Sequence, residues 1–300
     1  MEEITLDMAI KMLDASERFV NDLSYMPSAF GVVGKGGHII HARRMDGCPM
    51  RPSIELAINK ARTAAIYSIP TKMLNWISNP FSGAATLETG IPHQPATLHI
   101  EGGIPIKTED GTDVIGGIGS SGDDAANDRA IAKAGAAAYF YEEDSQLEFP
   151  DEVVSTKLFY PSPWRCGINL GMKLLKKALR YSRNIKRPCS ITIVDDSGWM
   201  VAFARDNGAP IGSIDIAINK AWTAAAFESP TSDLSKWGNV NSPGYDINAE
   251  NYNKRFTGIP GGLPIIVNDK TIGGIGASSG SIEDDVRISE AGISVISNFN

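Results

Sequence analysis

Basic charge is in short supply in this chain. Against 35 Asp and Glu there are only 28 Lys and Arg, leaving a net charge of -7 at neutral pH and a sequence pI near 5.2. With no Lys/Arg run to offset that balance, nucleic acid and anionic membrane surfaces are poor partners. No window approaches the roughly 18 apolar residues that a membrane-spanning helix needs. The start, Met1-Glu2-Glu3, is acidic where a signal peptide would be basic, so the expected location is the cytoplasm. The three cysteines, Cys48, Cys166 and Cys189, are far apart and form no CxxC pair. That argues against a disulfide framework and against a Cys-based zinc site, and they read as reduced thiols. No Ser-His-Asp, HExxH or P-loop pattern occurs in the context it requires.

What is present is a duplication. Residues 53–71, SIELAINKARTAAIYSIPT, align with 213–231, SIDIAINKAWTAAAFESPT, at 12 identities in 19, where unrelated sequences of average composition give roughly one or two. The landmarks around this segment recur in the same order. Ile4-x-Leu6-x-Met8 answers to Ile168-x-Leu170-x-Met172, Arg44 before Gly47 to Arg205 before Gly208, and Gly102-Gly103-Ile104-Pro105 to Gly261-Gly262-Leu263-Pro264. Ile115-Gly116-Gly117-Ile118-Gly119 and Ile272-Gly273-Gly274-Ile275-Gly276 follow, then Ala134-Gly135 and Ala291-Gly292. The stretch 141–165 opens acidic and carries Pro150, Pro161 and Pro163 without a sustained period, so it reads as a linker between lobe 1 (1–140) and lobe 2 (166–300).

Each lobe reads as αββαββα. A helix opens at Thr5 or Asn169 as N-cap, with Leu6, Ile10 and Leu13 on one stripe. A hairpin follows, turning at Lys35-Gly36-Gly37 or Asp196-Ser197-Gly198. The repeated segment is a helix capped by Ser53 or Ser213, whose Ala57, Ala61, Ala64 and Ala65 let it sit close to a sheet. A second hairpin turns at Glu109-Asp110-Gly111 or Asn268-Asp269-Lys270, and a last helix closes the lobe. Tight turns between neighbouring strands imply a mostly antiparallel sheet. The fold class expected is α/β of the α+β kind, two tandem α-β-α sandwich lobes.

The run Arg-x-x-Gly, Ser-Ile-(Asp/Glu)-x-Ala-Ile-x-Lys-Ala-x-Thr-Ala, Gly-Gly-(Ile/Leu)-Pro-Ile and Ile-Gly-Gly-Ile-Gly resembles the GlcG/HbpS (haem-degrading domain) family, related to the C-terminal domain of PduO, over nearly the whole chain, twice. The resemblance implies an α-β-α sandwich, oligomers built on pairs of domains, and haem or a related tetrapyrrole as ligand in some members. Duplicated lobes are then expected to pack about a pseudo-twofold axis, as a pseudo-dimer, and to assemble further into a homo-oligomer. Residues usually offered to haem iron are scarce: neither first helix contains His, and lobe 2 contains none. No cofactor is expected from the residues themselves, haem being possible by resemblance alone.

The candidate site residues fall in both lobes. Gly117-x-Gly119-x-x-Gly122 matches a dinucleotide fingerprint but sits on a hairpin rather than a βαβ unit, and lobe 2 breaks the spacing. Ser120-Ser121-Gly122 and Ser278-Ser279-Gly280 read instead as hydroxyls and free amides at a helix N-terminus, suited to a carboxylate or phosphate, with plain helix capping as the bland alternative. Arg44 and Arg205 at strand ends, with Lys60 and Lys220 on the repeated helix, form a possible clamp for an acidic ligand near the Gly102-Gly103 and Gly261-Gly262 loops, the lysines doubling as acid–base groups. Ordinary surface pairing is the competing account. His38, His41, His93 and His99 all belong to lobe 1. His38 and His41, three apart on a strand, face opposite ways and cannot share a metal, and no metal site is expected. His99, two residues before Glu101, is the candidate acid–base pair. The inserts 72–101 (Trp76, Phe81, His93) and 232–257 (Trp237, Tyr245, Tyr252, Arg255, Phe256) read as lids over a pocket for a planar acidic small molecule. Two functions follow: a cofactor-independent lyase, isomerase or hydrolase on a small carboxylated or aromatic metabolite, or a haem/tetrapyrrole-binding protein without other catalysis.

Overall fold

The computed structural model describes residues 3–74, 98–139, 166–238 and 255–296, and the chain divides into two compact units, Met1–Phe159 and Tyr160–Asn300. Lobe 1 runs α1 (Leu6–Asp22), β1 (Ala29–Gly34), β2 (Ile39–Arg44), α2 (Ser53–Tyr67), a 3-10 turn (Thr71–Leu74), β3 (Gly103–Lys107), β4 (Val114–Ser121) and α3 (Ala125–Ala137). Lobe 2 repeats the order with α4 (Ile168–Asn184), β5 (Ser190–Asp195), β6 (Met200–Arg205), α5 (Ser213–Ala226), a 3-10 turn (Ser235–Gly238), β7 (Gly262–Val267), β8 (Lys270–Ser278) and α6 (Ile282–Ile293). Every strand pairing within a lobe is antiparallel, in the order β3-β4-β1-β2 in lobe 1 and β7-β8-β5-β6 in lobe 2. The αββαββα reading and its turns therefore stand. The linker reading, His93, Trp76, Phe81, Tyr245, Tyr252 and the Trp237 side chain lie outside the described residues.

The Ile-Gly-Gly-Ile-Gly motif has a packing cause. Along β4, residues 117 and 119 face α2, and a Cβ on Gly117 or Gly119 would fall on the backbone oxygens of Ala61 and Ala57. Gly274 and Gly276 meet Ala221 O and Ala217 O in the same way. Small residues on both surfaces let helix and strand backbones approach as no larger pair would. Two of the three glycines of the dinucleotide-like match, Gly117 and Gly119, are thus a helix seat, while Gly122 lies against Pro27 and Ser28. On the other side of the lobe 1 sheet, Ile118 points toward Gly135 of α3, and α1 carries the buried stripe Leu6, Ala9, Ile10, Met12, Leu13, Ser16, Glu17 and Val20.

Three boundary readings are corrected. In lobe 2 the first helix starts at Ile168 with Gly167 as N-cap, so Asn169 lies inside its first turn. In lobe 1, Thr5 does cap, accepting from Met8 N. The buried stripes of α1 and α4 superpose with an offset of 162 residues, not the 164 that matching Ile4 to Ile168 suggests: Leu6 answers to Ile168 and Leu13 to Leu175. Burial decides the register, because a two-residue slip would turn the apolar stripe to solvent. Ser53 and Ser213 are the first helical residues and not caps. The N-caps are Pro52 and Gly212, and neither helix start has a side-chain cap.

Candidate functional site

Lys60 is the buried centre of lobe 1. Its Nζ donates to Asp128 Oδ2 at 2.7 Å and to Ser120 O at 3.0 Å, tying α2 to α3 and to the end of β4. Lobe 2 repeats this as Lys220 Nζ to Asp285 Oδ2 at 2.7 Å and to Ala277 O at 2.9 Å. Burial raises the Asp128 carboxyl above its ordinary pKa although Lys60 pulls it down. Burial likewise lowers Lys220, with Asp285 opposing. Each pair sets a carboxylate and an ammonium against one another inside its lobe, so that the attraction between them offsets part of the cost of their burial.

The glycine pairs complete this clamp. Gly102 and Gly261 adopt φ of +117° and +116°, a region that disfavours any Cβ. A Cβ there would lie 3.0 Å from Lys60 Nζ or 2.9 Å from Lys220 Nζ. Gly103 N donates to Thr71 Oγ1 and Gly262 N to Thr231 Oγ1. The loops are thus packed over the Lys–Asp pair. Lys60 and Lys220 are fixed structural cations, and the Gly-Gly residues present no open cradle.

The serines differ from their expected setting. Ser120 and Ser121 belong to β4 and Ser278 ends β8. The helices behind them are capped by Asp124, accepting from Asn127 N, and by Ser281, accepting from Asp284 N. Ser279 donates from both N and Oγ to Asp285 Oδ1. By strand pairing, Ser121 rather than Ser120 answers to Ser278. Carboxylates of the chain already occupy these helix starts: Asp124 and Asp128 in α3, Glu283, Asp284 and Asp285 in α6. They meet the helix dipole that a bound anion would otherwise meet, so the anion site expected there is not built.

His99 and Glu101 do not form a pair open to substrate. His99 is 1% exposed and stacks edge-on against Tyr67 with centroids 5.6 Å apart. In lobe 2 the equivalent of Tyr67, Phe227, takes an edge contact from Phe256 at 5.2 Å, while position 258 is glycine. In lobe 2 a phenyl ring from two positions earlier in the chain makes the corresponding edge contact. Glu101 Oε2 lies 2.9 Å from Arg129 Nη1. Lobe 2 has Pro260 and Val286 in the two corresponding places, so both charges changed together.

The arginines serve the loops that follow their strands. Arg44 Nη1 donates to Arg51 O at 2.9 Å, and Arg205 Nη1 to Ala209 O at 3.3 Å. Sequence reading missed several functional-looking groups. Asp128 and Asp285 were legible, each standing seven residues before the Ala-Gly landmark's glycine in its copy. Arg43 left no such signal. It is buried, with Nη2 2.7 Å from Asp14 Oδ1 and 2.9 Å from Glu17 Oε2, where lobe 2 has Lys176, Leu179 and Ala204. Burial opposes the Arg43 charge, yet the two carboxylates outweigh it and hold its pKa up. Among the described residues no group of three or more His, Cys, Asp or Glu is arranged to hold a metal, and no helix is long and apolar enough to cross a membrane.

The family model described as haem degrading protein HbpS-like matches residues 4–137 and again 169–294. The chain belongs to the HbpS-like family. A Citrobacter freundii protein described as an uncharacterized 15.0 kDa protein in the dhaT-dhaS intergenic region is 31% identical over 113 residues, 38% of this chain and 79% of that protein. The corrinoid adenosyltransferase PduO of the same organism is 30% identical over 124 residues, 41% of this chain but 37% of PduO. The chain therefore spans little more than a third of that relative. A solved PduOC–haem complex is similar at 26% identity and a TM-score of 0.42, covering 44% of this chain and 95% of that one. Each HbpS-like match coincides with one αββαββα lobe, and the tandem arrangement is a property of the family domain doubled in one chain.

Proposed function

We propose that this HbpS-like chain is a small-molecule-binding protein whose ligand is planar and acidic, of the tetrapyrrole class that its family's description names, and that it performs no acid–base turnover at His99 and Glu101. The observation that supports this is the engagement of every group such turnover would use. His99 packs on Tyr67, Glu101 pairs with Arg129, and Lys60 and Lys220 are enclosed by their aspartates. A general base must reach a substrate proton within hydrogen-bond distance, and these groups reach protein atoms instead.

The histidines of the described residues bear on whether haem iron could be held. His41 and His99 are buried, at 0% and 1% exposure, so iron could reach neither without opening the core. His38 stands half-buried at the β1–β2 turn. The donor set thus does not fit an iron atom held by His41 or His99, and recognition falls to the ring and its carboxylates. Absorbance titration of the purified protein with iron protoporphyrin and with metal-free protoporphyrin tests this. Comparable saturable changes with both, unaltered in His99→Phe, are expected. No change with either, or a band that depends on His99, overturns the reading.

A further inference from the structure

The geometry points to the outward face of α4 as a docking surface for an acidic segment of a partner protein, independently of the tetrapyrrole reading. Between 173 and 187 the chain carries seven Lys and Arg and no Asp or Glu, while the matching residues of lobe 1, 11–25, carry two bases and three acids. The apolar residues of the buried stripe, Leu174, Leu175, Ala178 and Leu179, stand between them. The cations therefore make no long run in sequence, and the helix gathers them on its solvent side. Lys173, Lys177 and Arg180 are exposed along α4, and Lys186 is exposed just past its end.

Only part of this charge is answered within the lobe. Arg183 Nη2 lies 2.9 Å from Asp206 Oδ1, and Arg187 Nε 2.9 Å from Asp284 Oδ2. The side chains of Lys177, Arg180 and Lys186 have no hydrogen-bond or ion-pair partner among the described residues. Lys173 and Lys177, Lys176 and Arg180, and Arg183 and Arg187 each stand four apart, a spacing at which like charges repel across a helix surface. The helix dipole favours cations only in the last turn, which holds Arg183, so it does not account for Lys173 or Lys177. Carboxylates brought by a partner would turn this repulsion into attraction.

The surroundings of the face favour a short acidic segment over an extended polyanion. Outside 173–187, lobe 2 (166–300) has seven Lys and Arg against thirteen Asp and Glu. A membrane surface or a nucleic-acid duplex reaching past α4 meets that acidic remainder. From Lys173 to Arg183 the helix rises about 15 Å, which roughly five residues of extended chain would span. A strip of acidic peptide can thus follow the cations without leaving the helix.

Labelled octaglutamate is the probe, titrated with the full chain by fluorescence anisotropy at about 10 mM and about 150 mM salt, between which the screening length falls from about 30 Å to about 8 Å. Saturable binding that weakens with salt is expected. Lys177→Glu/Arg180→Glu weakens it about tenfold, since each exposed ion pair is worth up to about fivefold. Lys35→Glu/Lys236→Glu, the same change in net charge at exposed positions outside α4, leaves it within about twofold. The Lys177→Glu/Arg180→Glu chain should also melt no lower than wild type, because each new glutamate stands four residues from a lysine. A lower melting temperature removes the repulsion from the account and sinks the proposal. So does the absence of saturation at either salt, or an equal loss in the two double variants. Phosphatidylserine vesicles and a DNA duplex are the rival occupants, and tighter binding of either one through Lys177 and Arg180 overturns the choice of an acidic protein segment.

Discussion

Replacing Lys60 with Met separates a structural cation from a catalytic one. The substitution keeps the stem's volume but removes the donor at 2.7 Å from Asp128 and 3.0 Å from Ser120 O. Asp128, 2% exposed, is left with the Asp123 amide as its remaining partner. Breaking a buried pair on one side costs about 3–5 kcal/mol, which at about 2–4 °C per kcal/mol places the fall in the lobe 1 melting transition near 10 °C. The loss depends on pH. Burial already raises the folded-state pKa of Asp128, and removing Lys60 raises it further. The stability Asp128 contributes is then complete below its unfolded pKa of about 3.9 and drains away as pH rises through the folded value. Lys60→Met is therefore expected to be milder near pH 5 than at pH 7. The double variant Lys60→Met/Asp128→Leu recovers most of the loss, since a buried pair replaced whole by apolar side chains is often neutral. Calorimetric melting at the two pH values, with the double-mutant cycle, is the assay. A single variant within 1 kcal/mol of wild type, or a double variant no better than the single, would refute the clamp.

Gly119→Ala sets a Cβ against Ala57 O and is expected to cost about 3 kcal/mol in urea unfolding, and a loss under 1 kcal/mol would mean α2 does not rest on β4 as described. His99→Phe should keep the edge contact with Tyr67 and stay within about 1 kcal/mol of wild type, as the Phe227–Phe256 pair suggests, whereas His99→Ala should lose about 2 kcal/mol or more; equal losses by thermal melting would show the imidazole matters for more than its ring. Glu17 carries a pKa raised by burial, against the pull of Arg43, so its stability contribution is complete below about 4.5 and fades as pH rises through the higher folded value. A Glu17→Gln variant should flatten that segment of the melting-temperature profile, and an unchanged profile between pH 4 and 7 removes Glu17 from the account.

The sequence carried the doubling, the order of elements and the turns, because these are local. Twelve identities in nineteen survive divergence, the Asp196-Ser197-Gly198 turn needs a residue with positive φ and has Gly198 at +76°, and the alanines of α2 announce a close seat. What it did not carry is the partner each polar side chain takes. Lys60 and Asp128 stand 68 residues apart and meet only because α2 and α3 pack on opposite sides of β4's end. Glu101 sits beside His99 in sequence, yet the fold turns it to Arg129. Ser53 looks like an ordinary cap in sequence, yet it is the first helical residue, behind Pro52, and is buried. Backbone conformation follows from nearest neighbours, but charges and hydroxyls answer to whatever long-range packing brings within 3 Å. That distinction, more than any motif, is why Lys60 and Lys220 stand against aspartates of another helix.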